Sequence, residues 1–281
     1  MFAALISSLA SATNLVIDKI ALSRERISLR VFLPTIFLFL FAFTAVLVPA
    51  FGRVDLDLAL LPNTLFLFFL MVVMAIASNV LFYQGIQREK VHQHELLMMI
   101  LPLVTVVLAA VFYPEERDTR IFILALVASV ALLFAKGQKE HFFVDRTSYN
   151  TFLAVVLMAT ESIIIRELLY TFTPVALYAF RTLALAIFFM FYYRPAFSQV
   201  SRSHWRLMAW GGAIGVIQMV SLFYAYQNLG IIYTTLIAIL APIIVFLASW
   251  EILHERIRPR VILAALLILV CVTIATVLAF G

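Results

Sequence analysis

Apolar runs long enough to cross a lipid bilayer recur along the whole chain, one of them reading VFLPTIFLFLFAFTAVLVPA (residues 31–50). A spanning helix needs about 20 mostly apolar residues. On that measure the runs predict ten transmembrane helices, near 2–22, 31–50, 62–86, 91–113, 120–136, 149–170, 173–193, 206–227, 232–253 and 260–280. Hydrocarbon offers no partner to a backbone N–H or C=O, so segments of this length must satisfy those groups as helices. The expected fold class is therefore an all-α integral membrane protein. Composition agrees: 65% of the residues are hydrophobic and 12% charged, against roughly 45–50% and 25% in soluble domains. The first run, MFAALISSLASA, lacks a basic leader and continues through Val16 and Ile17, so it reads as a retained first span and not as a signal peptide.

The same composition excludes several function classes. The net charge of +5 reports loop orientation in a membrane protein, and no nucleic-acid partner is expected. Cys271 is the only cysteine, which excludes an internal disulfide and a cysteine-built metal site. No Ser/His/Asp set, HExxH or paired-aspartate motif stands at catalytic spacing, so the chain is not read as an enzyme. No cofactor or metal is expected.

The chain also repeats itself. LFYQGIQREKVHQHELLMMILPLV from Leu81 aligns with LFYAYQNLGIIYTTLIAILAPIIV from Leu222, and Pro102 then falls on Pro242, Glu115 on Glu255 and Arg120 on Arg260. Upstream, ATNLVIDK aligns with ATESIIIR, which sets Asn14 against Glu161 and Lys19 against Arg166. The matches are collinear, so two five-helix repeats are expected, at 1–140 and 147–281. An odd number of helices per repeat sends the second copy into the membrane from the opposite side. The expected architecture is thus an inverted-topology repeat, with a solute site near the midplane between the halves.

Ten helices in a 5+5 repeat, with a proline in helices 4 and 9 followed by PEER or HER, resemble the EamA-type drug/metabolite transporters. That resemblance covers essentially the whole chain. It implies a carrier of amino acids, other metabolites or drugs, often an exporter, with a central cavity open to each side in turn. Orientation can be read separately. Fifteen Lys and Arg residues fall on odd-numbered loops and three, Arg53, Arg117 and Arg120, on even-numbered ones. The positive-inside rule places the odd loops in the cytoplasm and the termini outside, whereas the resemblance implies cytoplasmic termini. Either way the chain is a multi-pass protein of the cell (inner or plasma) membrane.

An ionisable group inside a span is a functional candidate once a partner is named. Glu161, in LMATESIII of helix 6, and Arg181, in YAFRTLAL of helix 7, are natural partners. They are either a pair that locks two helices or a site where Glu161 takes a proton or cation and Arg181 a carboxylate or phosphate. Ser7, Ser11, Asn14 and Asp18 line one face of helix 1, at steps of four, three and four. That stripe reads as a wet face or as a packing seam. Asn79 and Tyr83 in helix 3, and Gln218 and Tyr224 in helix 8, complete the expected cavity lining.

His92, His94 and Glu95 open helix 4 in VHQHELL, where the second repeat has Ile232, Thr234 and Thr235. The fold does not require these charges. They are solvated at the headgroup level, or they form a gate or proton relay with Asp18; HQHE lacks the spacing and third ligand of a metal site. Pro102 and Pro242 are expected to kink helices 4 and 9. The reading is a secondary-active or facilitative carrier of a small polar or amphipathic organic solute, working by alternating access in the lipid bilayer, with proton-coupled export left open. The alternatives are a non-transporting membrane assembly or regulatory subunit and, behind it, an intramembrane enzyme.

Overall fold

A computed structural model describes residues 1–24, 27–88, 97–116, 118–136, 146–195, 197, 200–241 and 259–280. The described residues form helices: α1 (Phe2–Lys19), α2 (Leu29–Phe51), the single turn α3 (Leu56–Ala59), α4 (Pro62–Arg88), α5 (Leu101–Phe112), α6 (Thr119–Lys136), α7 (Arg146–Leu168), α8 (Pro174–Tyr193), α9 (Arg202–Ala238) and α10 (Pro259–Phe280). Five described segments are long and apolar enough to cross a membrane: Phe2–Leu22, Leu29–Phe51, Pro62–Gly85, Pro174–Tyr193 and Arg202–Ala238. The difference from ten has physical causes. α7 has the length, 23 residues, but carries Glu161, Arg166 and Glu167 in its second half. In the fourth expected span a turn at 99–100 parts α5 from helical residues 97–98, and residues 91–96 are outside the described ones, as is the second half of the ninth.

Two local signals in the sequence, a proline and a glycine, mark interruptions of the helical path. Pro102 lies in the first turn of α5, directly after helical residues 97–98 and a turn at 99–100; in that first turn its missing N–H has no intrahelical partner to lose. Pro242 lies outside the described residues. In α9 the helix is interrupted at Gly230, whose φ of 77° and ψ of 172° are non-helical. The contacts of α1 show that the chain reverses there. Asn14 lies beside Gly211 and Gly215, whereas the Ser8 hydroxyl donates to the Ile237 carbonyl at 3.3 Å. A straight helix would separate Gly215 from Ile237 by about 33 Å, but Ser8 and Asn14 are only about 9 Å apart along α1. The segments before and after Gly230, joined by the short stretch QNLGI, therefore form an antiparallel pair.

Packing follows a regular scheme. α1 packs chiefly on α9, α4 on α7, α2 on α8, and α6 on α10. Aromatic contacts tie these pairs, as where Phe37 of α2 meets Phe189 of α8 with ring centroids 5.3 Å apart. Hydroxyls that would be orphaned in hydrocarbon bond back to their own helices: Thr44 donates to the Leu40 carbonyl at 2.6 Å and Ser129 to that of Ala125 at 2.7 Å. Large apolar side chains such as Phe69, Phe191, Trp210 and Leu263 face outward, as a lipid solvent allows.

Small residues let α9 approach α1 and α2 closely. A Cβ on Gly212 would sit 2.7 Å from the Phe39 Cβ, whereas on Gly211 its nearest neighbour would be the Ile17 Cγ2 at 3.2 Å. Gly212→Ala is expected to cost about 1–3 kcal/mol by overpacking. Gly211→Ala should come out near neutral, its milder crowding offset by about 1 kcal/mol of helix propensity. Melting temperatures of the two purified variants would check this; equal losses would refute the seam as described.

Candidate functional site

Four helices bring polar side chains into an otherwise apolar interior. On α7, Glu161 is 4% exposed and on α8 Arg181 is 6% exposed. Arg181 Nε donates to Glu161 Oε1 at 2.7 Å, so the two residues expected to partner each other do so. Tyr178 lies one turn before Arg181 on the same face of α8, and its ring meets Phe223 of α9 edge-on at 5.7 Å. On the other side, the Tyr83 hydroxyl of α4 donates to Asp18 Oδ2 of α1 at 3.4 Å. Tyr83 is also within electrostatic range of Tyr178 and Arg181. Asp18 and Tyr83 on one flank and Glu161, Arg181 and Tyr178 on the other thus form a buried polar cluster spanning α1, α4, α7 and α8. Chemically it offers a fixed guanidinium, two carboxyl groups and two phenols, the equipment for binding a polar solute or relaying a proton.

The remaining expected residues are placed less centrally. Asn14 is half-buried against the Gly211 and Gly215 seam, and its Oδ1 has no partner among the described residues. Asn79 donates to its own helix, at the Ala75 carbonyl, 2.7 Å away. Gln218 and Tyr224 are half-buried on α9, and among the described residues no side-chain hydrogen bond joins either to the cluster. His92, His94 and Glu95 lie outside the described residues. No group of three metal-ligating side chains occurs among the residues described.

A second polar network, not foreseen from the sequence, ties segments together at one end of the bundle. Glu116 follows α5 in a 3-10 turn (Pro114–Glu116). Its Oε1 accepts from Arg166 Nε at 2.8 Å, and its Oε2 accepts from the Ile231 backbone N–H at 2.6 Å. One carboxylate therefore clasps the end of α7 to the start of the helical segment after Gly230, where an acid also suits the helix dipole. Glu116 and Arg166 line a cavity of about 260 Å³ with Asn228, Gly230 and Tyr233. Around it, Gln227 Nε2 donates to the Leu169 carbonyl at 2.8 Å, and Tyr113 donates to that of Ile163 at 3.0 Å. The loops after α2 and α7 are stitched together as well: Asp55 N–H donates to the Thr171 carbonyl and Thr173 N–H to that of Arg53, both at 3.0 Å. The PEER sequence did mark an acidic turn, but its partners stand 50 and 115 residues away, beyond the reach of local pattern.

Comparison with known proteins is informative at the level of family and fold. The sequence model of the EamA-like transporter family matches residues 1–136 and 148–277. Among solved structures, one described only as a crystal structure of a protein covers 99% of this chain and 95% of its own, with a TM-score of 0.71 at 17% identity. That likeness concerns the fold alone. No curated protein matches the chain.

Proposed function

Because the chain belongs to the EamA-like transporter family, whose members are membrane transporters of small solutes, we propose that it carries a small polar or amphipathic organic solute across the cell membrane by alternating access. The observation that carries this reading is the buried Glu161–Arg181 pair with Asp18 and Tyr83 beside it. Ionisable groups this deep in a membrane bundle are costly to insert and mark solute or ion pathways. Solute contact is assigned to Glu161, Arg181, Tyr83, Asn14, Asn79, Gln218 and Tyr224, and gating or proton coupling to Asp18, His92, His94 and Glu95.

The architecture proposed for this cycle is ten helices in two inverted five-helix repeats. The two segments matched by the family model, 1–136 and 148–277, support it. So does the packing scheme. If α7, α8, α9 and α10 are copies of α1, α2, α4 and α6, exchanging the halves turns the α1–α9 contact into the α7–α4 contact. It leaves α2–α8 and α6–α10 unchanged. On this reading the Glu116 clasp is the closed gate of the even-numbered loops, which the charge bias places outside the cell.

One observation favours the alternative of a non-transporting membrane subunit: Asn14 faces the tight glycine seam of α9, as a packing residue would. A thermal-stability screen of the purified protein against zwitterions, anions, organic cations and neutral aromatics separates the two. A ligand at about 100 times its dissociation constant stabilises by roughly 2.7 kcal/mol. The transport reading expects one charge class to shift the wild type and to lose its effect in Arg181→Gln. A stable protein that ignores every class favours the subunit. Proton coupling would be discarded if solute counterflow in proteoliposomes proved independent of pH.

A further inference from the structure

Helix α1 ends in two buried acceptor oxygens that nothing among the described residues satisfies: Asn14 Oδ1 and Asp18 Oδ1. They are four residues apart, one helical turn, so their Cα atoms are separated by about 6 Å along the axis. An amide oxygen and a carboxylate oxygen are pure acceptors. What they lack is therefore a donor or a cation. Asp18 is 4% exposed, and among the described residues its other oxygen receives only the long 3.4 Å bond from Tyr83. Arg181, a buried cation within electrostatic range of Tyr83, is already committed to Glu161 at 2.7 Å. Unpartnered acceptors and carboxylates are expensive in a dry interior, and that expense is tolerated where a ligand supplies the missing charge.

Two further features point the same way. The backbone leaves α-helical geometry directly after Lys19, in a π-helical turn over Ile20–Arg24, a distortion that recurs at ligand sites. Beside Asp18, the Tyr83 ring is packed edge-on by Phe32 at 5.2 Å and by Phe82 at 5.0 Å, and aromatic surface favours a desolvated cation.

We propose that Asp18 and Asn14 form a binding site for a small monovalent cation, either the ammonium end of an amine-bearing solute or an inorganic coupling ion. The proposal rests on the transport reading and narrows it: the recognised species is positively charged and meets α1, while Glu161 and Arg181 neutralise each other.

The test is thermal unfolding of the purified protein in tetramethylammonium phosphate, a cation without N–H donors, titrated separately with ethylammonium and with sodium. The site predicts a saturable rise in melting temperature with one of the two: ethylammonium identifies a solute amine, sodium a coupling ion. Asp18→Asn, of the same shape, should be more stable than wild type before titration, because an uncompensated carboxyl has gone. Its apparent cation affinity should fall by roughly tenfold or more, the worth of a charged hydrogen bond. Asn14→Asp, which adds a second charge one turn away, should bind the cation more tightly.

A wild type indifferent to both cations overturns the proposal, and so does an Asp18→Asn variant less stable than wild type at every cation concentration. The transport reading fails separately. An anionic or neutral solute acting through Arg181, with no cation effect, removes the Asp18 site and keeps transport. Cation binding by a protein that moves no solute does the reverse.

Discussion

Glu161→Leu is expected to destabilise the folded protein by about 3–5 kcal/mol, the usual cost of stranding one member of a buried ion pair. The partner left behind decides the size of the loss. Arg181 would remain charged, since a guanidinium does not give up its proton in proteins. Arg181→Met should cost less, because the stranded Glu161 can take up a proton and become neutral. The double variant Glu161→Leu, Arg181→Met should recover most of the stability, as replacing a whole buried pair by apolar groups is often neutral or stabilising by 1–4 kcal/mol. Melting temperatures of the three proteins in one detergent measure the ordering directly. A double variant no better than Glu161→Leu would mean that the pair's geometry holds α7 and α8 together in a way apolar packing cannot replace. Because the double variant is expected to fold, it also separates a scaffold role from a functional one.

Glu116→Ala should loosen the clasp between Arg166 and Ile231. It removes a charged hydrogen bond to Arg166 and the acceptor of the Ile231 N–H; a hydrogen bond to a charged group contributes about 1.5–3 kcal/mol. A shift of about 2 kcal/mol in the closed-to-open balance is roughly a thirtyfold change in population. The readout is alkylation by a membrane-impermeant maleimide of a cysteine at Thr234, which is fully buried just beyond the clasp, in a Cys271→Ser background. Glu116→Ala should speed labelling by tenfold or more, on the order of that population change. Gly230→Ala should reproduce the effect from a different position. Its Cβ would stand 2.5 Å from Glu116 Oε2, and alanine is strained at φ of 77° by about 1–3 kcal/mol. Glu116→Gln, which keeps an acceptor for Ile231, should fall between. Unchanged labelling in all three would show that the clasp does not hold this end shut.

The class of the fold was legible because lipid imposes a length and a composition on each span, and these are written in consecutive residues. Pairing of Glu161 with Arg181 was legible for a related reason: two opposite charges on adjacent spans have few other ways to be stabilised. The reversal at Gly230 falls in QNLGI, between two long apolar runs and too short a connection for anything but an antiparallel pair. What could not be read is what depends on the arrangement of distant segments. Glu116, Arg166 and Ile231 share one clasp only because α5, α7 and the segment after Gly230 end at the same level. Tyr178 was overlooked although it stands three residues before Arg181, where the helical period would have found it. A proline in an apolar run, as at Pro102, signals a kink and a helix start equally well, and only the backbone before it tells them apart.

The claim that the buried cluster is a transport site is tested most directly in proteoliposomes loaded with a mixture of labelled zwitterions, anions, organic cations and neutral aromatics. Wild type should release one charge class faster than protein-free vesicles, and the folded Glu161→Leu, Arg181→Met double variant should retain it. Release at the wild-type rate by the double variant, or no selective release by the wild type, would contradict the account.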